Sequence, residues 1–143
     1  MSKKIVVFTD GASRGNPGES GIGVVIKSGK KNLLEISAYI GTATNNIAEY
    51  MAFIRGLEET LILGHKNAEF CLDSELLVKQ IQGEYKVKNE GIKPLYLHAK
   101  NLISKFKSFS ITHVRREANK EADQLANKGI DEQVKSGLPL FSD

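Results

Sequence analysis

Four carboxylates, Asp10, Glu49, Asp73 and Asp123, are the residues of this chain best placed by type and setting to do chemistry together. Asp10 closes an apolar, β-branched run that begins at Lys4, and Gly11 follows it at once. Glu49 falls in the first turn of a helical pattern that opens near Asn46. Asp73 closes a second strand-like run, and Asp123 lies in the last helical pattern, a little past a third such run. If the two strand-ending acids belong to neighbouring strands and the helix starts share their edge, the four form an all-oxygen site of high negative charge. Hard divalent cations prefer such ligands, and Mg²⁺ in particular binds through a few carboxylates plus a substrate phosphate. Each acid also has a purely structural reading. Asp10-Gly11 can be a turn, Glu49 can pair with Asn46 in a capping box, Asp73 with Ser74 can cap a short helix, and Asp123 can be a solvent-facing helix charge. Spacing alone does not choose between the two.

The elements that would position these acids follow from hydrophobic periodicity. Residues 4–10 read as a buried strand and 11–18 as turn chemistry. Strands near 21–27 and 33–41, joined by Ser28-Gly29-Lys30-Lys31, complete an antiparallel meander. Ile47, Met51, Ile54, Leu57 and Leu61 mark a helix over 46–63 that Gly64 ends. A strand over 68–72, a short helix near 74–82 and a polar irregular stretch over 83–93 come next. Pro94 opens a helix reaching about Lys107, and 109–115 is a strand. A last helix runs from about 117 to 134, with Ala118, Ala122, Leu125 and Gly129 on one stripe. The order is βββαβα(α)βα. Later strands reached through helical crossovers must be parallel. The expected fold is therefore α/β: a mixed five-stranded sheet, three antiparallel strands then parallel ones, flanked by helices. In such sheets, sites sit at the carboxyl ends of the parallel strands.

The chain has 143 residues, a common size for one domain, and 41% of them are hydrophobic, enough for a core. The expected division is one domain over 1–135 and a loose tail over 136–143. No apolar stretch is long enough to span a membrane, and the N-terminal apolar run is too soon charged for a signal peptide. Cys71 is the only cysteine, so no disulfide forms within one chain, and a reducing cytoplasm is the expected setting. The net charge is +3, but the segment from Lys79 to Lys107 holds seven lysines against Glu84 and Glu90. Such a segment suits a phosphate backbone, or equally a solvated helix face. His65 and His98 are expected at the surface, without metal-ligand spacing.

The local sequences around the acids carry a more specific message. Thr9-Asp10-Gly11-Ala12-Ser13-Arg14-Gly15-Asn16-Pro17-Gly18 resembles the opening signature of type 1 ribonucleases H. Thr44-Asn45-Asn46-Ile47-Ala48-Glu49-Tyr50, Leu72-Asp73-Ser74 and Asn119-Lys120-Glu121-Ala122-Asp123-Gln124-Leu125-Ala126 resemble the three blocks that follow, in family order. The resemblance implies a ribonuclease H-like fold and an endonuclease that cuts the RNA strand of RNA–DNA hybrids, leaving 5′-phosphate and 3′-hydroxyl ends. It makes Asp10, Glu49, Asp73 and Asp123 the catalytic ligands of two Mg²⁺ ions, for which Mn²⁺ can substitute. Two such ions, roughly 3.5–4 Å apart, clamp a scissile phosphate, one helping to generate hydroxide and the other stabilising the leaving 3′ oxygen. Gly11, Ser13, Asn16, Asn46 and Glu49 are implied contacts of the RNA strand, told from DNA by its 2′-hydroxyls. Asn45 and Asn89 are implied contacts of the DNA strand, with Thr44 and Asn89 holding one of its phosphates. Helix capping is the structural alternative for Thr44, Asn45 and Asn46.

The chain departs from the family pattern in three places. Gly83 to Asn89 is too short for the basic, Trp-rich protrusion of some bacterial members, and the chain has no Trp. Val114-Arg115-Arg116-Glu117-Ala118-Asn119 lacks the Gly-His loop that precedes the last aspartate elsewhere, and His113, aligned on the strand valine, falls inside the strand instead. This short form is similar to archaeal and plant-like members, in which an arginine takes over. Arg116 is the candidate here, against a plain surface role. Thr42 stands where some members carry an arginine of the phosphate pocket. The short form also implies a side activity on double-stranded RNA. A monomer is expected. The rival readings are a non-catalytic hybrid-binding module of the same fold, which usually loses an acid, and an unrelated nucleotide-binding α/β domain, whose glycine signatures are absent.

Overall fold

The computed structural model describes residues 4–136, so the expected tail lies, beyond Ser136, outside the described residues. A five-stranded sheet forms the centre. Strand β1 spans Ile5–Gly15, β2 Gly18–Ser28, β3 Lys31–Ala43, β4 Asn67–Leu72 and β5 Ser108–His113. Helix α1 spans Asn45–Ile62, α2 Glu75–Ile81, α3 Lys93–Ile103 and α4 Lys120–Ser136, the last entered through a 3₁₀ turn over Arg116–Asn119. The sheet order is β3-β2-β1-β4-β5. β1, β2 and β3 pair antiparallel, whereas β4 runs parallel to β1 and β5 parallel to β4, as the helical crossovers required.

Residues 11–18 are not a loop. β1 and β2 stay paired from Ile5 opposite Ser28 to Gly15 opposite Gly18, and only Asn16 and Pro17 make the turn. Asp10 therefore lies mid-strand. Parallel pairing with β4 covers only Val6 to Phe8, so Asp10 sits just past the point where β1 and β4 part. The glycines and small polar residues read as turn chemistry serve instead to let other backbone come close.

Alternation along β1 and β2 divides the core between two faces. Val7, Val24 and Ile26 pack with Phe53, Leu57 and Phe70 on the side of α1, extended by Leu77, Ala99 and Ile111. Phe53 and Phe70 meet edge to face at 5.6 Å, a geometry that aromatic quadrupoles favour. On the opposite face, Ala122, Ala126 and Ile130 of α4 are fully buried over β2. The stripe expected on this helix holds for Ala122 and Gly129, but Ala118 is exposed, because it belongs to the 3₁₀ turn before the helical period begins. No helix among the described residues is long and apolar enough to cross a membrane.

Helix α4 approaches β2 closely because Gly23 leaves it room: a Cβ there would fall on the Ala122 carbonyl and within 2.8 Å of the Ala126 amide. Gly23→Ala should consequently push α4 off the sheet and cost about 2 kcal/mol of stability. Chemical denaturation of the two proteins checks this, and an unchanged midpoint would contradict the tight seating.

Candidate active site

Three of the four acids converge. Asp10, Glu49 and Asp73 each place one carboxylate oxygen within 4.8 Å of the other two. Asp10 and Glu49 are buried, at 6% and 7% exposure, and Asp73 is half-buried. Asp123 stands outside that mutual set, in the first turn of α4, within hydrogen-bonding reach of Asp10. The four line one cleft of about 730 Å³ at the edge where β1, β4 and β5 end or diverge. Its rim also carries Ser13, Asn45, His113, Arg115 and Arg116.

The structural alternatives for the acids can be taken one by one. Helix α1 is capped by Thr44, whose Oγ1 accepts the Ile47 amide at 3.2 Å. Glu49 is the fifth residue of that helix, past its first turn, so it forms no capping box with Asn46. Its Oε1 accepts the Gly11 amide at 2.5 Å instead, across from helix to strand. Ser74, not Asp73, caps α2, with Oγ accepting from Leu77 at 3.3 Å. That leaves Asp73 directed to the cleft, one residue beyond β4. Asp123 is half-buried, and the Asn127 side chain donates to its Oδ1 at 3.3 Å.

Burial and proximity raise the cost of ionising this cluster. Asp10 is pushed far above the ordinary carboxylate range, first by burial and then by repulsion from Glu49, with Asp73 adding to it. Burial raises Glu49 as well, opposed by hydrogen bonds from the protonated Asp10 and the Gly11 amide and by the positive charge of Arg116. Two buried acids that resist losing protons, with only oxygens turned inward, suit a divalent cation, which supplies the missing positive charge. The donor set fits Asp10, Glu49 and Asp73 as metal ligands, with Asp123 alongside.

The remaining candidates divide between the cleft and its surroundings. Gly11 is buried against α1, and a Cβ on it would collide with the Ala48 and Glu49 backbone. Its glycine is thus demanded by strand–helix packing. Ser13 donates to the Gly15 and Ala43 carbonyls, the latter at 2.8 Å, tying the hairpin to the end of β3. Exposed Asn16 accepts the Asn45 amide at 3.1 Å. Asn46 and Asn89 are exposed and share a small depression beside Glu49 and Tyr50, while Asn89 Oδ1 accepts the amides of Gly91 and Ile92. Arg116 is exposed on the rim, at the first position of the 3₁₀ turn. None of the seven lysines of 79–107 lines the cleft. Lys79 pairs with Glu75 and Lys93 with Glu90, and Lys86 and Lys93 border a separate groove with Tyr85, Tyr96 and Leu97.

Some rim residues carried no signal in the sequence reading. Arg14 and Asn127 line the cleft; Arg14 stands within the opening signature without an assigned role there, and nothing about a mid-helix asparagine announced Asn127. His113 is the last residue of β5, inside the strand as expected, yet it also faces the cleft, because β5 ends beside Leu72. His65 is half-buried, and His98 is exposed, 3.8 Å from Glu58.

Comparison with known proteins bears on this arrangement. The family model described as "Reverse transcriptase-like" matches residues 8–129. A bifunctional protein of Mycobacterium tuberculosis is 41% identical over 135 residues, which is 93% of this chain and 37% of that protein. Ribonuclease HI of Halobacterium salinarum is 39% identical over 130 residues, 90% of this chain and 65% of that protein. A crystal structure of the Halobacterium enzyme superposes with a TM-score of 0.88 over 90% of this chain and 98% of that one. LC11-RNase H1, crystallised with an RNA/DNA hybrid, is 43% identical, with a TM-score of 0.87 over 92% of this chain and 99% of that one. The chain thus spans from about a third to two thirds of the length of these curated relatives.

The raised acids have a consequence for stability. With divalent cations chelated, the folded protein keeps protons on Asp10 and Glu49 that the unfolded chain releases near 3.8 and 4.5. The folded state then binds more protons, so stability is full below those values and falls as pH rises through neutrality. Thermal melts in EDTA across that range should show a declining Tm, and Asp10→Asn should raise the neutral-pH Tm and flatten the decline. A wild-type Tm that climbs from mild acid to neutral pH would contradict the burial and repulsion described above.

Proposed function

The chain belongs to the ribonuclease H family, and from that premise we propose that it is an endonuclease hydrolysing the RNA strand of RNA–DNA hybrids, with two Mg²⁺ ions and products bearing 5′-phosphate and 3′-hydroxyl ends. The convergence of Asp10, Glu49 and Asp73 within 4.8 Å, with Asp123 in reach of Asp10, is the observation that carries this reading. The crystallisation of LC11-RNase H1 with an RNA/DNA hybrid supports the choice of substrate.

In this reading the four carboxylates hold the divalent ions, with Mn²⁺ able to replace Mg²⁺. The ions, when bound, supply charge neutralisation of the scissile phosphate and activation of water. The protein's own part is placement. β1 fixes Asp10 in a paired strand, and the Gly11 amide fixes Glu49 from the same strand, so the two acids move as one unit. Asp73 follows the parallel strand β4, held by the Ser74 cap. Arg116, exposed and close enough to stabilise ionised Glu49, would hold the phosphate ester and assist departure of product. Exposed Asn45 and Asn46 start α1 at the cleft edge and offer amide groups to the two strands of the duplex. Asn16 and Asn89 spend their Oδ1 atoms on backbone amides, so each offers its Nδ2 donors, Asn89 to a DNA phosphate with Thr44. Gly11, with its amide on Glu49, acts on the RNA strand through backbone proximity.

End-labelled RNA–DNA hybrid, double-stranded RNA and single-stranded RNA, each with Mg²⁺ or EDTA, test the proposal directly. Internal cleavage of the hybrid's RNA strand in Mg²⁺ alone is expected, with slower cutting of double-stranded RNA as a side activity. Binding without cleavage in Mg²⁺, or in Mn²⁺ put in its place, would replace the proposal with the non-catalytic hybrid-binding module. Asp10→Asn should lower turnover by on the order of a thousandfold with hybrid binding retained. Arg116→Ala should slow kcat by on the order of a hundredfold while the melting curve stays unchanged; unaltered kinetics would leave Arg116 a surface charge only.

A further inference from the structure

One polar chain at the cleft is left without a task by the proposal above. The Asn127 Nδ2 donates to the Asp123 carbonyl at 3.0 Å and to Asp123 Oδ1 at 3.3 Å. On its other side, Asn127 Oδ1 accepts from Arg14 Nη2 at 3.2 Å. The same Arg14 atom lies 3.4 Å from the Asn127 carbonyl, and Arg14 Nη1 pairs with Asp131 Oδ1 at 2.5 Å. Asp123, Asn127 and Asp131 follow one another at four-residue intervals on one face of α4. Arg14 reaches that face from β1, four residues beyond Asp10.

We infer that Asn127 is a positioning residue for the Asp123 carboxylate and that Arg14, braced by Asp131, acts through it. The inference rests on the reading of Asp123 as a metal ligand. A guanidinium can only donate hydrogen bonds, so whichever amide atom faces Arg14 must be the oxygen. That fixes the flip of Asn127 and turns its Nδ2 toward Asp123. The reverse flip would set an oxygen against the carboxylate. Asp123 is the acid in need of such support. Asp10 and Asp73 sit in or next to strands and Glu49 is bound to the Gly11 amide, whereas Asp123 lies outside their close set on the first turn of a helix. One Asp123 oxygen held by Asn127 aims the other into the cleft.

A stabilising role is the weaker account of this chain. The side chains of Arg14 and Asp131 are 42% and 63% exposed, and exposed ion pairs contribute little to folding. Groups that orient a metal ligand act differently: their loss typically lowers metal affinity by about tenfold or more.

Titration calorimetry of the full chain with Mn²⁺ alone tests the inference, with melting in EDTA as the control for folding. Asn127→Ala should bind Mn²⁺ about tenfold more weakly at an unchanged Tm. Arg14→Ala should weaken binding less, and Arg14→Lys, which still donates to Oδ1, should restore it. The double variant Arg14→Ala/Asn127→Ala should match Asn127→Ala alone, because Arg14 works through the amide. Asp123→Asn serves as the reference. If it weakens Mn²⁺ binding and Asn127→Ala does not, the positioning role is overturned. Additive losses in the double variant would overturn the relay from Arg14. An unchanged isotherm in Asp123→Asn would overturn the reading of Asp123 as a ligand, a separate failure. Should Asn127→Ala fail to fold, the exposed Arg14→Ala and its lysine rescue carry the same test.

Discussion

Burial of carboxylates side by side is the constraint around which this structure is arranged. Asp10 and Glu49 are almost fully withdrawn from water with Asp73 beside them; burial resists the ionisation of both, Glu49 and Asp73 add repulsion at Asp10, and protonated Asp10 in turn donates to Glu49. Flexible side chains on loops would relax such a cluster by swinging apart. Here they cannot. Asp10 is locked in a strand paired on its β2 side, and Glu49 comes from a helix whose backbone touches that strand at Gly11. The single short hydrogen bond from the Gly11 amide to Glu49 both orients that acid and lowers the cost of its charge.

The close approach of helices to the sheet is what makes the convergence geometrically available. Gly11 lets α1 sit against β1, and Gly23 lets α4 sit against β2. With ordinary side chains at these points both helices would ride higher, and Glu49 and Asp123 would move outward with them. Core packing and site geometry are therefore the same problem. The large aromatic residues fill the α1 face, while Ala122 and Ala126 with Ile130 fill the α4 face.

Periodicity made the fold legible because each element obeys one period. The apolar run at Ile5, the 46–63 pattern and the crossovers after Glu49 and Asp73 lead directly to the mixed sheet. Residues 11–18 misread because glycine, asparagine and proline are ambiguous: the same types that build loops also permit tight packing along a strand. Asn16-Pro17 alone turn, and the rest is ladder. Local spacing likewise made Asn46 and Glu49 look like a capping box, when Thr44 caps the helix and Glu49 bonds a residue 38 positions away. Asn127 was invisible for the same reason. Its meaning comes from Arg14, 113 positions distant, and no window along the chain contains both. The four acids were readable as a set through their surrounding blocks, while their supports were readable only in three dimensions.

The charge distribution bears on how a polyanion could be accommodated. Asp10, Glu49, Asp73, Glu117 and Asp123 line the cleft against Arg14, Arg115 and Arg116, so carboxyl groups outnumber guanidinium groups at its floor. Arg14 is further engaged by Asp131. The seven lysines of 79–107 lie outside the cleft, two of them already paired with glutamates. They can attract a duplex over distance, but they cannot neutralise a phosphate held between the acids. A phosphate at that depth therefore needs cations that the protein does not carry in its side chains. Divalent ions on the carboxylates would answer both halves of the difficulty, the cost of ionising the buried acids and the shortage of positive charge facing a phosphate, and that double demand is the strongest physical argument for the metal-dependent hydrolysis proposed above.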